Sequence, residues 1–294
     1  MHSFKKVLDL QHFLNRRRRE GHRIGFVPTM GALHEGHLSL IRQSKLENEC
    51  TVCSIFVNPT QFNEASDLEK YPRTSAADIK LLTSIGTDVV FMPGPDEIYP
   101  PDLDTIVNVD FSHLDQQMEG VFRPGHFEGV AQVVKRLLDI VQAQRLYMGQ
   151  KDFQQLSIIR YMIKILDLPT QLVACPIIRE ADGLAMSSRN RRLSPQMRAI
   201  GPKIHQSLLW AKETLDKYRP AQISQKAMEL LSEAGFRPEY FDIVDGIHLN
   251  KIEQFEDSDY VVACLAAWAG EVRLIDNMIL KQGAKAGLSR TNRL

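Results

Sequence analysis

Between residues 24 and 175, short apolar runs alternate with segments of helical period, and this alternation limits the fold more than any other feature of the chain. Residues 24–27, 52–57, 89–92, 145–148 and 171–175 read as strands, and residues 36–48, 76–85, 127–141 and 152–166 as helices. Strands joined through helices run parallel, because a hairpin cannot connect them. The expected architecture is α/β: a mostly parallel sheet over residues 1–180 with helices on both faces. In such sheets ligands bind beyond the carboxyl ends of the strands. After about Arg179 the pattern changes. Ser194 and Pro195 read as an N-cap and first helical residue, and helical segments continue to about Ala234. Residues 240–244, 260–268 and 271–280 read as strands, the last two joined by a turn at Ala269-Gly270. This predicts a smaller α+β domain over residues 181–294 with a short antiparallel sheet. Residues 96–104, rich in proline and acid, read as a loop, and the polar, basic tail 283–294 as disordered.

One motif stands at the carboxyl end of the first strand. Pro28-Thr29-Met30-Gly31-Ala32-Leu33-His34-Glu35-Gly36-His37 joins an apolar strand to a helix, the arrangement that binds phosphates. The first N–H groups of a helix lack intrahelical partners, and the macrodipole adds positive charge there. His34 and His37 are spaced to lie on one helix face, where both can donate to a phosphate chain. Gly31 and Gly36 would let a nucleotide lie against the backbone. Alone, the pattern also fits two surface histidines near a helix start. It also offers half of a metal site, but no third ligand has suitable spacing.

Three more polar clusters follow strand ends. Asn58-Pro59-Thr60-Gln61-Phe62 carries a turn signal, and Gln61 can donate to and accept from a small polar substrate. In Gly149-Gln150-Lys151-Asp152, Lys151 brings positive charge to a helix start that Asp152 can cap, and Gln154 and Gln155 could face the crevice. Met186-Ser187-Ser188-Arg189-Asn190 offers two hydroxyls and a guanidinium, good phosphate ligands on a loop able to close over a triphosphate. Taken singly, these also read as an ordinary loop glutamine, a capped helix start and a polar linker. Arg123 and His126, in Glu119–Phe127, either bind an anion or anchor the turn.

Several classes are disfavoured. Lys+Arg and Asp+Glu both number 36, so no net charge favours bulk nucleic-acid binding. The basic run Arg16 to Arg19 reads as a solvated helix face. Residues 1–10 have no apolar core of a signal peptide, and no apolar run approaches the length of a membrane span. Cys50, Cys53, Cys175 and Cys264 do not form a disulfide framework, which fits a reducing, cytoplasmic setting. Cys50 and Cys53 read as small hydrophobes on a strand. There is no P-loop, no dinucleotide fingerprint and no nucleophile elbow.

PTMGALHEGH at 28–37, NPTQF at 58–62, RPGHFEGV at 123–130, GQKDFQQL at 149–156 and DGLAMSSRN at 182–190 together resemble the pantothenate synthetases, the pantoate–β-alanine ligases of the HIGH-type nucleotidyltransferases. The resemblance covers nearly the whole chain. It implies a Rossmann-like N-terminal domain, a C-terminal domain that acts as a lid, and a homodimer. It implies ATP with Mg2+, (R)-pantoate and β-alanine as substrates, and no organic prosthetic group. Pantoyl adenylate and pyrophosphate would form first, then pantothenate and AMP. It further implies that Met30, Gly31, Ala32, Leu33, His34, Glu35, Gly36 and His37 line the ATP site. Gly149, Gln150, Lys151, Asp152, Ile178, Met186, Ser187, Ser188 and Arg189 would complete it. His37, His34, Lys151, Ser187 and Arg189 would be catalytic, Gln61 and Gln155 would hold pantoate, and Gln61 would border β-alanine. Gln150 departs from the family, where glutamate is usual. Another HIGH-type nucleotidyltransferase, or a nucleotide-binding module without catalysis, is the competing expectation.

Overall fold

The computed structural model describes residues 1–62, 68, 69 and 71–283. Six strands form the first sheet: β1 (His2–Phe4), β2 (Ile24–Thr29), β3 (Cys50–Ile55), β4 (Val89–Phe91), β5 (Arg145–Gly149) and β6 (Gln171–Cys175). Their spatial order is β1-β4-β3-β2-β5-β6, and every neighbouring pair is parallel. From β2 the chain steps one way to β3 and β4, and later the other way to β5 and β6. That reversal makes the junction of β2 and β5 the switch point where a crevice opens. The register sharpens it. β2 pairs with β3 from Ile24 to Thr29, but with β5 only at Gly25↔Arg145 and Phe26↔Leu146. Beyond Phe26 the two strands part. Pro28, which has no N–H to give to a ladder, lies in the parted stretch.

Helices α1 (Val7–Arg19), α2 (Glu35–Glu47), α3 (Ser75–Ser84), α4 (His126–Val141) and α5 (Phe153–Ile165) cover the sheet. Successive residues of a strand face opposite sides, and the two apolar clusters divide accordingly. Phe26, Val52, Phe91 and Leu146 pack with the apolar faces of α1, α4 and α5. Val27, Cys53, Val90 and Tyr147 pack with Leu38 and Ile41 of α2 and Leu82 of α3.

The C-terminal part carries α6 (Lys203–Glu213) and α7 (Pro220–Glu233), then an antiparallel sheet of β7 (Arg237–Asp245), β8 (Tyr260–Ala269) and β9 (Val272–Gln282). Strand β8 is covered on both faces. Tyr260, Val262, Cys264 and Ala266 join the core of the first sheet. Val261, Ala263, Leu265 and Ala267 pack with Leu208 of α6 and Ile223 and Leu231 of α7. One apolar core therefore runs from the parallel sheet into the antiparallel one. Buried charge reinforces the joint. Arg273 of β9 makes two 2.7 Å bonds to Glu119, whose carboxylate also accepts from Tyr240 Oη at 2.7 Å. Burial alone would raise the Glu119 carboxyl, but these donors hold it below its ordinary value.

The observed elements follow the expected ones with small shifts at several ends, and three differences have a clear cause. Strand β3 starts at Cys50 rather than residue 52, because Cys50 and Thr51 pair with Ile24 and Gly25. Strand β1 was not expected. It has three residues, too few to show periodicity, and exists by pairing with β4. Pro95–Ile98 forms a helical turn at the start of the expected 96–104 loop. Residues 284–294 of the tail lie outside the described residues. Cys50 and Cys53 are buried and unpaired on β3. Among the described residues no helix is long and apolar enough to cross a membrane.

Gly25 shows how closely α2 seats on β2. Ser44 Oγ bonds Thr51 Oγ1 at 2.8 Å, and Asn48 Nδ2 donates to Tyr147 Oη at 2.7 Å. A Cβ on Gly25 would collide with Ser44 Oγ and come 2.5 Å from Asn48 Nδ2. We expect Gly25→Ala to cost about 1–3 kcal/mol of unfolding free energy. Urea denaturation measures this, and an unchanged midpoint would contradict the packing described.

Candidate active site

The cleft lies in the gap between the parted ends of β2 and β5. From β2 and the residue after it come Pro28, Thr29 and Met30. From β5 and the turn after it come Met148, Gly149, Lys151 and Asp152.

The turn after β2 is held from outside the motif. Gly31 and Ala32 both have positive φ, +80° and +49°. The strained non-glycine conformation at Ala32 persists because one buried carboxylate fixes it. Asp78 of α3 accepts Ala32 N–H at 3.0 Å and Leu33 N–H at 2.8 Å, and Thr74 Oγ1 lies 3.2 Å from both its oxygens. These two N–H groups are therefore committed to Asp78. Leu33 turns its side chain into the core beside Val27.

His34 then stands as the N-cap of α2. Its ring and that of His37 lie 4.1 Å apart between centroids, tilted by 45°. His34 N–H donates to His37 Nδ1 at 3.3 Å. A neutral imidazole that accepts at Nδ1 carries its proton on Nε2, so His37 offers Nε2–H. Burial, with help from Lys151, pushes His37 down to about 4. Burial, then His37 and Lys151, push His34 down to about 3. Both rings are neutral at pH 7. His34 Nδ1 is buried without a hydrogen-bond partner within the protein. Gly36 serves this packing: a Cβ there would come 2.9 Å from His34 Nδ1. The glycine makes room for an imidazole, where the sequence suggested room for a nucleotide.

The opposite wall comes from two segments. After β5, Lys151 and Asp152 face the cleft, and Asp152 stands at the N-cap position of α5 without a side-chain capping bond. Gln155 lines the cleft. Gln154 turns away, its Nε2 donating to Leu114 O at 2.7 Å and Gln117 O at 2.8 Å. The second segment folds back on itself. Met186 N–H donates to Ile178 O at 3.0 Å, with Gly183 at φ +97° in the bend. This strap delivers Ile178, Met186, Ser187, Ser188 and Arg189 to the cleft.

The floor is half polar and half apolar. Gln61 Oε1 accepts from Asn58 Nδ2 at 3.3 Å, and Asn58 also bonds Gly129 O and Tyr99 Oη. Phe56, Val130, Val133, Val134, Leu137 and Met148 form an apolar wall beside it. His126 supports Gln61 from behind. Arg123 lies 3.1 Å from His126 Nε2, and His126 Nδ1 lies 2.9 Å from Gln61 O. Arginine can only donate, so Nε2 accepts and Nδ1–H donates to the Gln61 carbonyl. Burial and Arg123 push His126 down to about 4. His126 thus anchors the turn. Gly129 lets α4 approach the same turn, because a Cβ there would collide with Thr60 O.

Of the residues expected at the site, the cleft gathers Met30, His34, Gly36, His37, Gln61, Gly149, Lys151, Asp152, Gln155, Ile178, Met186, Ser187, Ser188 and Arg189. Gly31, Ala32, Leu33, Glu35 and Gln150 do not line it. Glu35 pairs with Arg42 at the surface, and Gln150 Nε2 donates to Asn277 Oδ1 at 3.3 Å. Sequence reasoning missed Asp78, Asn58 and the apolar wall. Asp78 gave no signal, since an aspartate in a helix is ordinary. Among the described residues no group of three His, Cys, Asp or Glu could hold a metal ion.

Known proteins resemble this chain in sequence and fold. The model of the family described as Pantoate-beta-alanine ligase matches residues 2–279. The pantothenate synthetase of Bacteroides thetaiotaomicron is 49% identical over 278 residues, covering 94% of this chain and 98% of that protein. The pantothenate synthetase of Porphyromonas gingivalis is 48% identical over 279 residues, covering 95% and 99%. Among solved structures, the pantothenate synthetase from Thermus thermophilus superposes with a TM-score of 0.89 at 40% identity, covering 96% of this chain and all of that one. The pantoate-beta-alanine ligase from Francisella tularensis, solved as a complex with beta-gamma ATP and beta-alanine, has a TM-score of 0.80 at 34% identity, covering 96% and 99%.

Three imidazoles, His126 buried and His34 and His37 half-buried, give the fold a pH signature. An unfolded histidine titrates near 6.5. Below that, the unfolded chain takes up protons that folded His34, His37 and His126 refuse until about pH 3–4. Their contribution therefore lowers stability as pH falls from about 6.5 and is silent above it. We expect the urea midpoint to drop between pH 7 and pH 5, and to drop less in His126→Gln. An equal drop in that variant would show that His126 is not held neutral.

Proposed function

Given that the chain belongs to the pantoate-beta-alanine ligase family, and so catalyses the ATP-dependent ligation of pantoate to β-alanine in pantothenate synthesis, we propose that the reaction runs between β2 and β5 through a pantoyl adenylate. The observation that carries this reading is the pair of neutral imidazoles facing Lys151, Ser187 and Arg189 across one cleft.

In this reading ATP lies along the His34–His37 turn, with Gly149, Ile178 and Met186 around the nucleoside. The Francisella complex carries an ATP derivative together with β-alanine, which supports one site for both. Lys151, Ser187, Ser188 and Arg189 take the phosphates, and Mg2+ arrives on the nucleotide as part of the substrate. Pantoate is amphipathic, with two methyl groups on one carbon and hydroxyls on either side. The apolar wall of Val130, Val133, Val134 and Leu137 suits the methyls, while Gln61 and Gln155 suit the polar groups. A carboxylate oxygen of pantoate attacks the α-phosphorus. The bond from that phosphorus to the bridging oxygen breaks, and pyrophosphate leaves with the electron pair. The amine of β-alanine, next to Gln61, then attacks the acyl carbon. The bond to AMP breaks and the amine nitrogen loses a proton.

The protein's task is positioning and stabilisation of charge on the α-phosphate and pyrophosphate. His37 Nε2–H is a fixed donor for it, and as the ring is neutral it does so without a charge to desolvate. The Met186–Asn190 stretch keeps water from the adenylate. Ala32, Leu33, Glu35 and Gln150 act from behind the lining residues. Residues 1–180 bind nucleotide and pantoate, and residues 181–294 cover the site. The same reading makes the protein a cytoplasmic homodimer; four buried, unpaired cysteines fit a reducing compartment.

Removing one well-aimed donor of this kind typically costs about 10²–10³ in rate. We expect His37→Ala and Lys151→Ala each to lose at least about 10² in kcat for pantothenate formation, with unchanged circular dichroism. Near-normal turnover in either variant would remove that residue from the chemistry.

A further inference from the structure

Strand β9 carries two polar residues where an apolar pair would be ordinary. Asp276 and Asn277 are consecutive, and each is only 2% exposed. Burying such groups is costly unless every polar atom is matched. Here they are matched, and the partners are the two segments that face each other across the cleft.

Asn277 holds the turn after β5. Its Nδ2 donates to Gln150 O at 2.9 Å and to Lys151 O at 2.8 Å. Its Oδ1 accepts from Gln150 Nε2 at 3.3 Å. One amide thus clasps two consecutive peptide carbonyls, one of them belonging to Lys151. Asp276 holds the strap. It accepts from both terminal nitrogens of Arg179, at 2.6 Å and 3.0 Å, and from Asn277 N–H at 2.8 Å. Arg179 also donates to Gly183 O at 3.1 Å, in the bend of the strap, and pairs through its backbone with Ala185. The next residues along that leg are Met186 to Arg189.

We propose that Asp276 and Asn277 are positioning residues that set the distance between Lys151 and the Ser187–Arg189 segment. The inference rests on the ligase reading given above and extends it to two residues outside the lining of the cleft. Successive side chains of a strand leave in opposite directions, so a dipeptide is the shortest element able to reach both segments. The apolar core that β9 shares with the parallel sheet keeps this dipeptide still relative to β2 and β5. The chemistry of each position is specified. Aspartate at 277 would set a carboxylate against two carbonyl oxygens. Glutamate at 150 could not donate to Asn277 Oδ1. Glutamine at 150, the departure noted in the sequence, supplies the donor that Asn277 Oδ1 accepts while its NH2 group holds the two carbonyls.

The test uses the full chain with ATP, pantoate and β-alanine. A displacement of about 1 Å in a catalytic group costs up to about 10²-fold. Asn277→Ala and Asn277→Asp should each lower kcat about 10- to 100-fold, with the KM for pantoate changed less than about twofold. Met278→Ala, a neighbour in the same strand that packs on the C-terminal core, should lower the melting temperature and leave kcat alone. In a Lys151→Ala background the Asn277→Ala change should cost no more than about twofold further, because residues that act as a unit are not additive. Wild-type kcat in Asn277→Ala, or its full loss repeated in the Lys151→Ala background, would overturn the inference. A wild-type protein without ligase activity would instead overturn the function on which it rests.

Discussion

Two neighbouring parallel strands stop pairing, and the rest of the molecule is arranged around the opening. β2 and β5 share a ladder only at Gly25 and Phe26, while each stays paired on its other side. The turns around this opening carry backbone groups that no strand satisfies, and side chains from elsewhere take them. Asp78 takes the turn that leaves β2. Asn277 takes the turn that leaves β5. His126 takes the Gln61 carbonyl at the floor. None of these residues need meet a ligand, yet each fixes a segment that can. The antiparallel sheet is part of the same solution, since its inner face completes the core behind β5 and its last strand supplies Asn277.

The electrostatics follow from the geometry. The cleft sets cations, Lys151 and Arg189, against imidazoles that burial keeps neutral. A site made only of cations would hold a polyphosphate tightly in every state. In the proposed reading, a neutral donor fixed by a backbone bond, His37, with charge supplied from one wall, would favour the state in which negative charge has grown on the phosphate chain.

Much of this was legible in the sequence. The strand and helix alternation gave the parallel sheet, and the four polar motifs at strand ends converge on one cleft. What was not legible has a common physical cause. β1, Asp78 and the Asp276-Asn277 pair act through partners distant in the chain, and no local periodicity records such contacts. Asp78 lies 46 and 45 residues from Ala32 and Leu33. The glycines carry more than one role. Gly36 lines the cleft and also spares His34, and Gly129 spares Thr60. His126 was ambiguous between ligand and anchor in the sequence, and its two filled nitrogens make it an anchor. Gln150, where the family resemblance expects glutamate, donates to the amide of Asn277.

The central claim is that this cleft activates a carboxylic acid by adenylation before any amine is needed. Isotope exchange between pyrophosphate and ATP, measured with pantoate present and β-alanine absent, tests it most directly. The account predicts exchange that depends on pantoate, followed by AMP and pantothenate when β-alanine is added. ATP binding without any pantoate-dependent exchange would contradict the two-step adenylate route.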